Sequence, residues 1–263
     1  MGITPQNYYA RRRARRRRVV DVELVLELVG AQRREQPRLG GRKLYHLIAP
    51  ELKQAGVKMG RDRLFAELRK AGLLVEKRPA EWPKTTRFDR ALPVFENLVK
   101  GKQLTGPNQV WVADITYIRT EEGFLYLALK TDAWSRMIVG YELGRTLGTE
   151  LVLKALNKGL KTLKKGEKPI HHSDRGCQYA SHAFVQRAQE AGLCLSMTGK
   201  NHCAENALAE RINGILKNEY WLDVRFENHR QARLACARAI KLYNTRRPHS
   251  ILGMKTPEEV HRA

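Results

Sequence analysis

The stretch QVWVADITYIRTEEGFLYLALKTDAWSRMIVGYEL, residues 109–143, decides the fold. It divides into QVWVADITYI, GFLYLALKTDAW and SRMIVGYEL, each rich in β-branched and aromatic residues and separated by RTEEG and by WSR. Such spacing predicts consecutive hairpins, hence a three-stranded antiparallel meander. Within the first strand side chains alternate, which places Asp114 on one face with Val112 and Thr116, and Ala113 and Ile115 on the other.

Outward from the meander the period changes. TELVLKALNKGLKTL (149–163) is helical, KPIHHSD (168–174) a short strand, SHAFVQRAQEAGL (181–193) helical, LCLSM (193–197) a strand and NALAERINGILKNEY (206–220) helical. The predicted order is β-β-β-α-β-α-β-α, an α/β class with a mixed sheet. One more long helix runs from about His229 to Tyr243, followed by a Pro-punctuated tail.

Toward the N-terminus the residues are helical and basic. Seven arginines stand at 11–18, broken only by Ala14, and alone such a run reads as a solvated tail. Apolar residues at 20, 24, 25 and 28 then keep helical spacing up to Pro37. A second helix is expected from about Arg42 to Ala55 and a third before Gly72; the trio suits either a helix-turn-helix-like module or a plain bundle. Between Glu76 and Pro93 no apolar period survives, which marks a linker and divides the chain into a helical region, 1–90, and an α/β core, 91–263.

Charge narrows the class of partner. The 263 residues carry 49 Lys and Arg against 27 Asp and Glu, a formal charge of +22. The first 100 hold 24 basic and 11 acidic residues, so the helical part is the more basic one. A polyanion is the expected partner. No run of about 18 apolar residues is present, which argues against a membrane span and for a cytoplasmic, nucleoid-associated protein. Four cysteines, at 177, 194, 203 and 236, form no C-x-x-C pair, and no structural zinc is expected.

Against this basic background three acids are candidates for chemistry. Asp114 lies in the first strand, Asp174 directly follows the strand PIHH, and Glu210 sits about one turn into the helix that begins near Asn206. If the first and fourth strands are neighbours and the helix crosses their ends, the three carboxylates converge. They would repel one another unless a cation joined them. Oxygen-only ligation favours a hard divalent ion such as Mg²⁺, and two such ions can stabilise the attacking and leaving oxygens of an in-line phosphoryl displacement. Alternatively, Asp174 is a turn residue and Glu210 a solvated one. His172 is either a strand histidine or a base.

WVADITYI, HHSDRGCQYAS, ENALAERINGILKNEY and the tail YNTRRPHSILGMKTPEEV resemble the catalytic core of bacterial insertion-sequence transposases, specifically the OrfB-type product of the insertion sequence 3 family. The resemblance covers essentially the whole chain, and 35 residues separate Asp174 from Glu210, the spacing of the Asp-Asp-(35)-Glu superfamily. It implies a ribonuclease H-like fold, Mg²⁺-dependent DNA cleavage to a free 3′-hydroxyl, and transfer of that hydroxyl to another phosphodiester. Two ions per site, with Mn²⁺ as a substitute, are implied as well. Asp114, Asp174 and Glu210 match the metal-binding acids, and Lys217, seven after the glutamate, matches a residue that meets DNA near the cleaved end. Expected DNA contacts are Lys217, Arg175, Asn213, Lys200, Arg42 and Lys43. DNA, further copies of the chain on DNA, and an upstream OrfA-type product are the implied partners.

Residues 36–74 are similar to the helical DNA-binding segment that precedes such cores, and GITPQNYY to the beginning of the upstream product. In one departure, Glu205 stands where the third motif usually has aspartate. Glu210 and Lys217 lie within about 20° of each other on a helix, whereas Glu205 and Glu219 lie about 140° and 180° from Glu210. Glu210 is therefore the expected ligand. Two other functions share these features: a non-catalytic DNA-binding regulator of transposition, and a nuclease of the same fold acting on RNA–DNA hybrids.

Overall fold

A computed structural model describes residues 4–76, 92–199 and 206–263. The expected linker, apart from its ends, lies outside the described residues, as do Lys200, Cys203 and Glu205. The chain forms two compact units, Met1–Arg78 and Pro79–Ala263.

In the first unit α1 (Pro5–Glu35), α2 (Gly41–Gln54) and α3 (Arg61–Lys70) share one apolar core. Leu44, Ile48 and Leu52 repeat at four-residue spacing on α2 and meet Leu64 and Leu68 of α3 and Val25 and Val29 of α1. The arginine run differs from its expected state. Residues 11–18 belong to α1, a single helix of 31 residues capped at its start by the Thr4 hydroxyl, which accepts from the Asn7 amide. The packed half, from Val25 on, is what extends helical geometry outward into a segment with no apolar face of its own.

The second unit is a mixed sheet between two layers of helix. Strands β1 (Val110–Thr120), β2 (Gly123–Asp132) and β3 (Ile138–Gly144) form the expected antiparallel meander. A two-residue turn, Glu121 and Glu122, joins the first pair, so β1 runs two residues further than the sequence pattern indicates. After α4 (Thr149–Leu160), β4 (Ile170–Ser173) returns parallel to β1 on its other side, and β5 (Cys194–Met197) adds parallel to β4. The resulting order is β3-β2-β1-β4-β5. A one-turn helix, α5 (Cys177–Ala180), precedes α6 (His182–Glu190) where the sequence reading placed only a turn.

Alternation along β1 sorts the layers. Ala113 faces a cluster that includes Val152 and Leu156 of α4 and Phe184 of α6. Ile118 faces Ile212 and Leu216 of α7 (Ala207–Glu219) and Ile240 of α8 (His229–Thr245). Between α7 and α8, two-residue β6 (Arg225–Phe226) pairs with the far end of β1. The Pro-punctuated tail carries further structure, since α9 (Pro257–Arg262) opens on a capping box between Thr256 and Glu259.

Gly140 sets how closely α4 approaches β3. A Cβ there would meet the Ala155 carbonyl oxygen and come within 2.7 Å of the Gly159 nitrogen, both backbone atoms that cannot swing aside. Gly140→Ala is therefore expected to destabilise the second unit by about 1–3 kcal/mol, the usual cost of overpacking. A urea titration followed by tryptophan fluorescence would check it, and an unchanged midpoint would contradict this packing.

Candidate active site

Two of the acids are placed by strand pairing. In the parallel ladder of β1 and β4, Val112 lies opposite His172. Asp114, still within β1, and Asp174, just past the end of β4, each follow two residues later, so they stand beside one another. The third acid arrives on α7, which is fastened across β1 by two asparagines seven residues apart. Asn206 donates its side-chain amide to the Ala113 carbonyl at 3.2 Å, and Asn213 donates to Asp114 Oδ2 at 2.7 Å. Seven residues make two turns, so both amides point at the strand. Glu210 lies between them and is exposed.

The carboxylates feel one another. Burial, then the Asp174 charge and more weakly that of Glu210, push the Asp114 carboxyl up to about 7, against the pull of the Ile115 amide and Asn213. Asp114 Oδ1 accepts from the Ile115 amide at 2.8 Å, and Asp174 Oδ1 from the Gly176 amide at 3.0 Å. At Gly176 a Cβ would stand 3.0 Å from both Asp174 Oδ1 and Gln178 Oε1, so any larger residue would press on the oxygen that its own amide holds. Beneath them the buried Tyr179 hydroxyl has no partner among the described residues, and burial and the charges of Asp174 and Asp114 hold it protonated. Among the described residues no three His, Cys, Asp or Glu side chains stand in metal-holding geometry. The acids are gathered but not closed on a common point. Their donor set, oxygen alone around a carboxyl that resists ionising, suits a hard divalent cation.

The other expected site residues fall in different places. Asn213 was expected at DNA but is buried, and its amide is spent on Asp114. Lys217 is buried too, 3% exposed, with its ammonium 4.0 Å from the centre of the Tyr117 ring. Burial and the nearby Arg119 charge lower its pKa to about 8. As placed, neither presents a surface to a phosphate, because the face of α7 that carries them is the one packed on β1. Arg175 is half-buried and donates through Nε to the Thr198 carbonyl at 2.7 Å. Arg42 is exposed and Lys43 half-buried on α2, in the other unit. His172 is buried with Nδ1 2.9 Å from the Ser196 hydroxyl, as a strand histidine is expected to be. Sequence reasoning missed Asn206 and Gly176; the seven-residue spacing of the two asparagines was the available signal.

An integrase core domain family matches residues 105–203, and a second of the same description matches 191–257. An uncharacterized 31 kDa protein of insertion element IS600 from Shigella sonnei is 38% identical, over 97% of this chain and 94% of that one. Transposase InsF for insertion sequence IS3A of Escherichia coli strain K12 is 33% identical, over 88% and 80%. In structure the chain is similar to one in the simian T-cell lymphotropic virus intasome, solved by cryo-electron microscopy with the PP2A regulatory subunit B56 gamma. That likeness covers 85% of this chain and 75% of that one, with TM-score 0.53 and 17% identity, and it speaks to fold. The mixed sheet with its helical layers is thus the ribonuclease H-like fold of integrase cores, and the class is that of polynucleotidyl transferases. The chain belongs to the insertion sequence 3 family of transposases.

The raised Asp114 pKa carries a pH signature. Between about 4, where the unfolded carboxyl ionises, and about 7, the folded state holds a proton that the unfolded state has released. Stability of the metal-free protein should therefore fall as pH rises through that window, by up to about 4 kcal/mol attributable to this group, at about 1.4 kcal/mol for each pH unit. Asp114→Asn should remove that part of the slope. Urea midpoints for both proteins from pH 4 to 7 test this, and parallel curves would contradict it.

Proposed function

We propose that this chain cuts DNA at the ends of its insertion element to free a 3′-hydroxyl and joins that hydroxyl to a phosphodiester of the target. The observation that carries the reading is the placement of Asp114, within β1, beside Asp174, just past the end of the adjacent parallel β4, with the Asp114 carboxyl pushed up to about 7 by burial and then by its acidic neighbours. A carboxyl in that state binds a divalent cation with release of a proton. Asp114, Asp174 and Glu210 are the residues that would hold Mg²⁺, or Mn²⁺ in its place. A pair of such ions would supply positive charge at the attacking and leaving oxygens of the phosphoryl displacement.

The chain's own residues prepare that site. Asn213 fixes one oxygen of Asp114 and the Ile115 amide the other, which sets the carboxylate plane. The Gly176 amide orients Asp174 in the same way. Glu210 remains exposed on its helix, so it is free to swing in when ligand and substrate arrive. No side-chain general base is assigned, since His172 Nδ1 is turned to Ser196.

DNA is the substrate and partner, and the +22 charge supports a nucleoid-associated location. Among the described residues no helix is long and apolar enough to cross a membrane. Two element ends must be held together for one insertion, which calls for more than one copy of the chain on DNA, and an upstream OrfA-type product is a further partner in this reading. Arg175 beside the acids, and Arg42 and Lys43 on α2, are the proposed phosphate contacts.

Asp114→Asn and Glu210→Gln keep size and remove charge. Each is expected to lower strand cleavage and joining by about a thousandfold or more while leaving duplex binding intact or tighter. Assays with Mg²⁺ on duplexes carrying the element ends would decide it. An active Glu210→Gln protein overturns the assignment, and selective degradation of the RNA strand of a hybrid points to the nuclease instead.

A further inference from the structure

The exposed half of α1 has an arrangement that neither a solvated tail nor a packed helix requires. Every residue from Thr4 to Val20 is exposed, and the first buried side chain is Val25. Sixteen helical residues, about 24 Å, therefore lie outside the apolar core of the three-helix unit. The first twenty residues contain no acid. At about 100° per residue, and taking Arg11 as zero, the other arginines fall at about 100° (Arg12), 200° (Arg13), 40° (Arg15), 140° (Arg16), 240° (Arg17) and 340° (Arg18). The widest gap is about 100°, the sector of Ala14. Seven guanidiniums thus form a collar around the helix and not a stripe along it.

A collar selects its partner by shape. Arginines three and four apart repel one another along the helix and weaken it unless anions lie between them. A lipid surface would reach one side only and would leave the opposite guanidiniums unmatched, and this segment has no apolar face to insert. The major groove of B-form DNA is about 12 Å wide, close to the diameter of a helix with its side chains, and has a phosphate wall on each side. Guanidiniums pointing to either wall would pair with phosphates, and those pointing to the floor would reach guanine edges. In A-form RNA that groove is too deep and narrow for side chains to read.

We propose that residues 5–20 of α1 form an arm that lies as a helix in the major groove of duplex DNA. The proposal rests on the reading of the chain as a DNA transposase and adds to it the element that grips the duplex. Two variants of the full chain test it, both confined to exposed positions. In one, all seven arginines become glutamine, which retains helix propensity. In the other, Ala14→Pro keeps every charge and breaks the exposed helix.

Duplex affinity is read by fluorescence anisotropy across a salt series, with circular dichroism to show that the packed helices persist. The seven-glutamine variant is expected to have a log affinity against log salt slope shallower by about four or more, at 0.9 per lost phosphate contact. Ala14→Pro is expected to bind B-form duplex about tenfold or more weakly. Methyl green, a major-groove ligand, should compete with the parent protein, and netropsin, in the minor groove, should not. A slope within about one of the parent for the glutamine variant removes the arm from the interface. Parental affinity in Ala14→Pro reduces it to a charged tail, and competition by netropsin alone moves it to the other groove; each overturns the proposal. Failure here leaves the cleavage reading standing, because Asp114→Asn tests chemistry on DNA that is already bound.

Discussion

Three residues of parallel pairing, Val110 to Val112 against Ile170 to His172, are what the site depends on. Antiparallel partners would send their following residues to opposite ends of the sheet. Parallel ones keep them side by side, and here those residues are Asp114, still within β1, and Asp174, just past the end of β4. The crossover through α4 makes the parallel return possible, and the glycine contact of β3 with α4 lets that helix lie flat on the sheet. The cost of burying one acid and setting a second beside it is electrostatic, and it appears as the raised Asp114 carboxyl. The repulsion is tolerated because Asn213 and the Ile115 amide offset part of it, and because a bound cation would remove most of it.

Asp132, on the neighbouring strand, shows how differently the fold treats an acid that has no partner to find. It is wholly buried, and burial alone would raise its pKa, yet the His261 ring 3.7 Å away and hydrogen bonds from Ser135 and the Asn108 amide outweigh that and lower it. Ser135 donates through both its amide and its hydroxyl to Asp132 Oδ1, at 2.7 and 2.6 Å, and so closes the turn between β2 and β3. The contrast is between a saturated carboxylate that organises a turn and an undersupplied one beside two like charges.

Both aspartates look alike in the sequence, as polar interruptions of apolar strands, and that marks the boundary of what was legible. Periodicity carried the strands, the helices and their order, because each element buries one face at a fixed spacing. It carried the face of Asp114 for the same reason. Events that depend on tertiary neighbours were not legible. Lys130, a charged residue in an apolar strand, is fully buried with its ammonium 2.7 Å from His171 Nε2 and over the Phe184 ring. Asn213 and Lys217 read as surface groups because they are polar and near Glu210, but α7 turns them onto β1. The arginine run reads as a tail because nothing in it is apolar, and its helix is inherited from packing further along the chain.

The C-terminal tail belongs to the same lesson and completes the account of α7. Arg247, from the segment RRPHS, is 3% exposed and binds Glu219 with two hydrogen bonds of 2.7 Å. Its third nitrogen lies 2.8 Å from His249 Nε2, and Tyr243 donates its hydroxyl to the Arg136 carbonyl in the β2–β3 turn. Glu219 is thereby fixed at the end of α7 opposite the asparagine staples, half a turn around from Glu210, as the helical phase requires. A planar, bidentate pair resists rotation of the helix about its own axis in a way that apolar packing does not. Removing Glu219 would leave Arg247 a buried charge without its carboxylate. The tail is thus a brace for the helix that carries the third acid. Its constraint on α7 comes from the C-terminal end of the helix, while the asparagines hold the part beside Asp114.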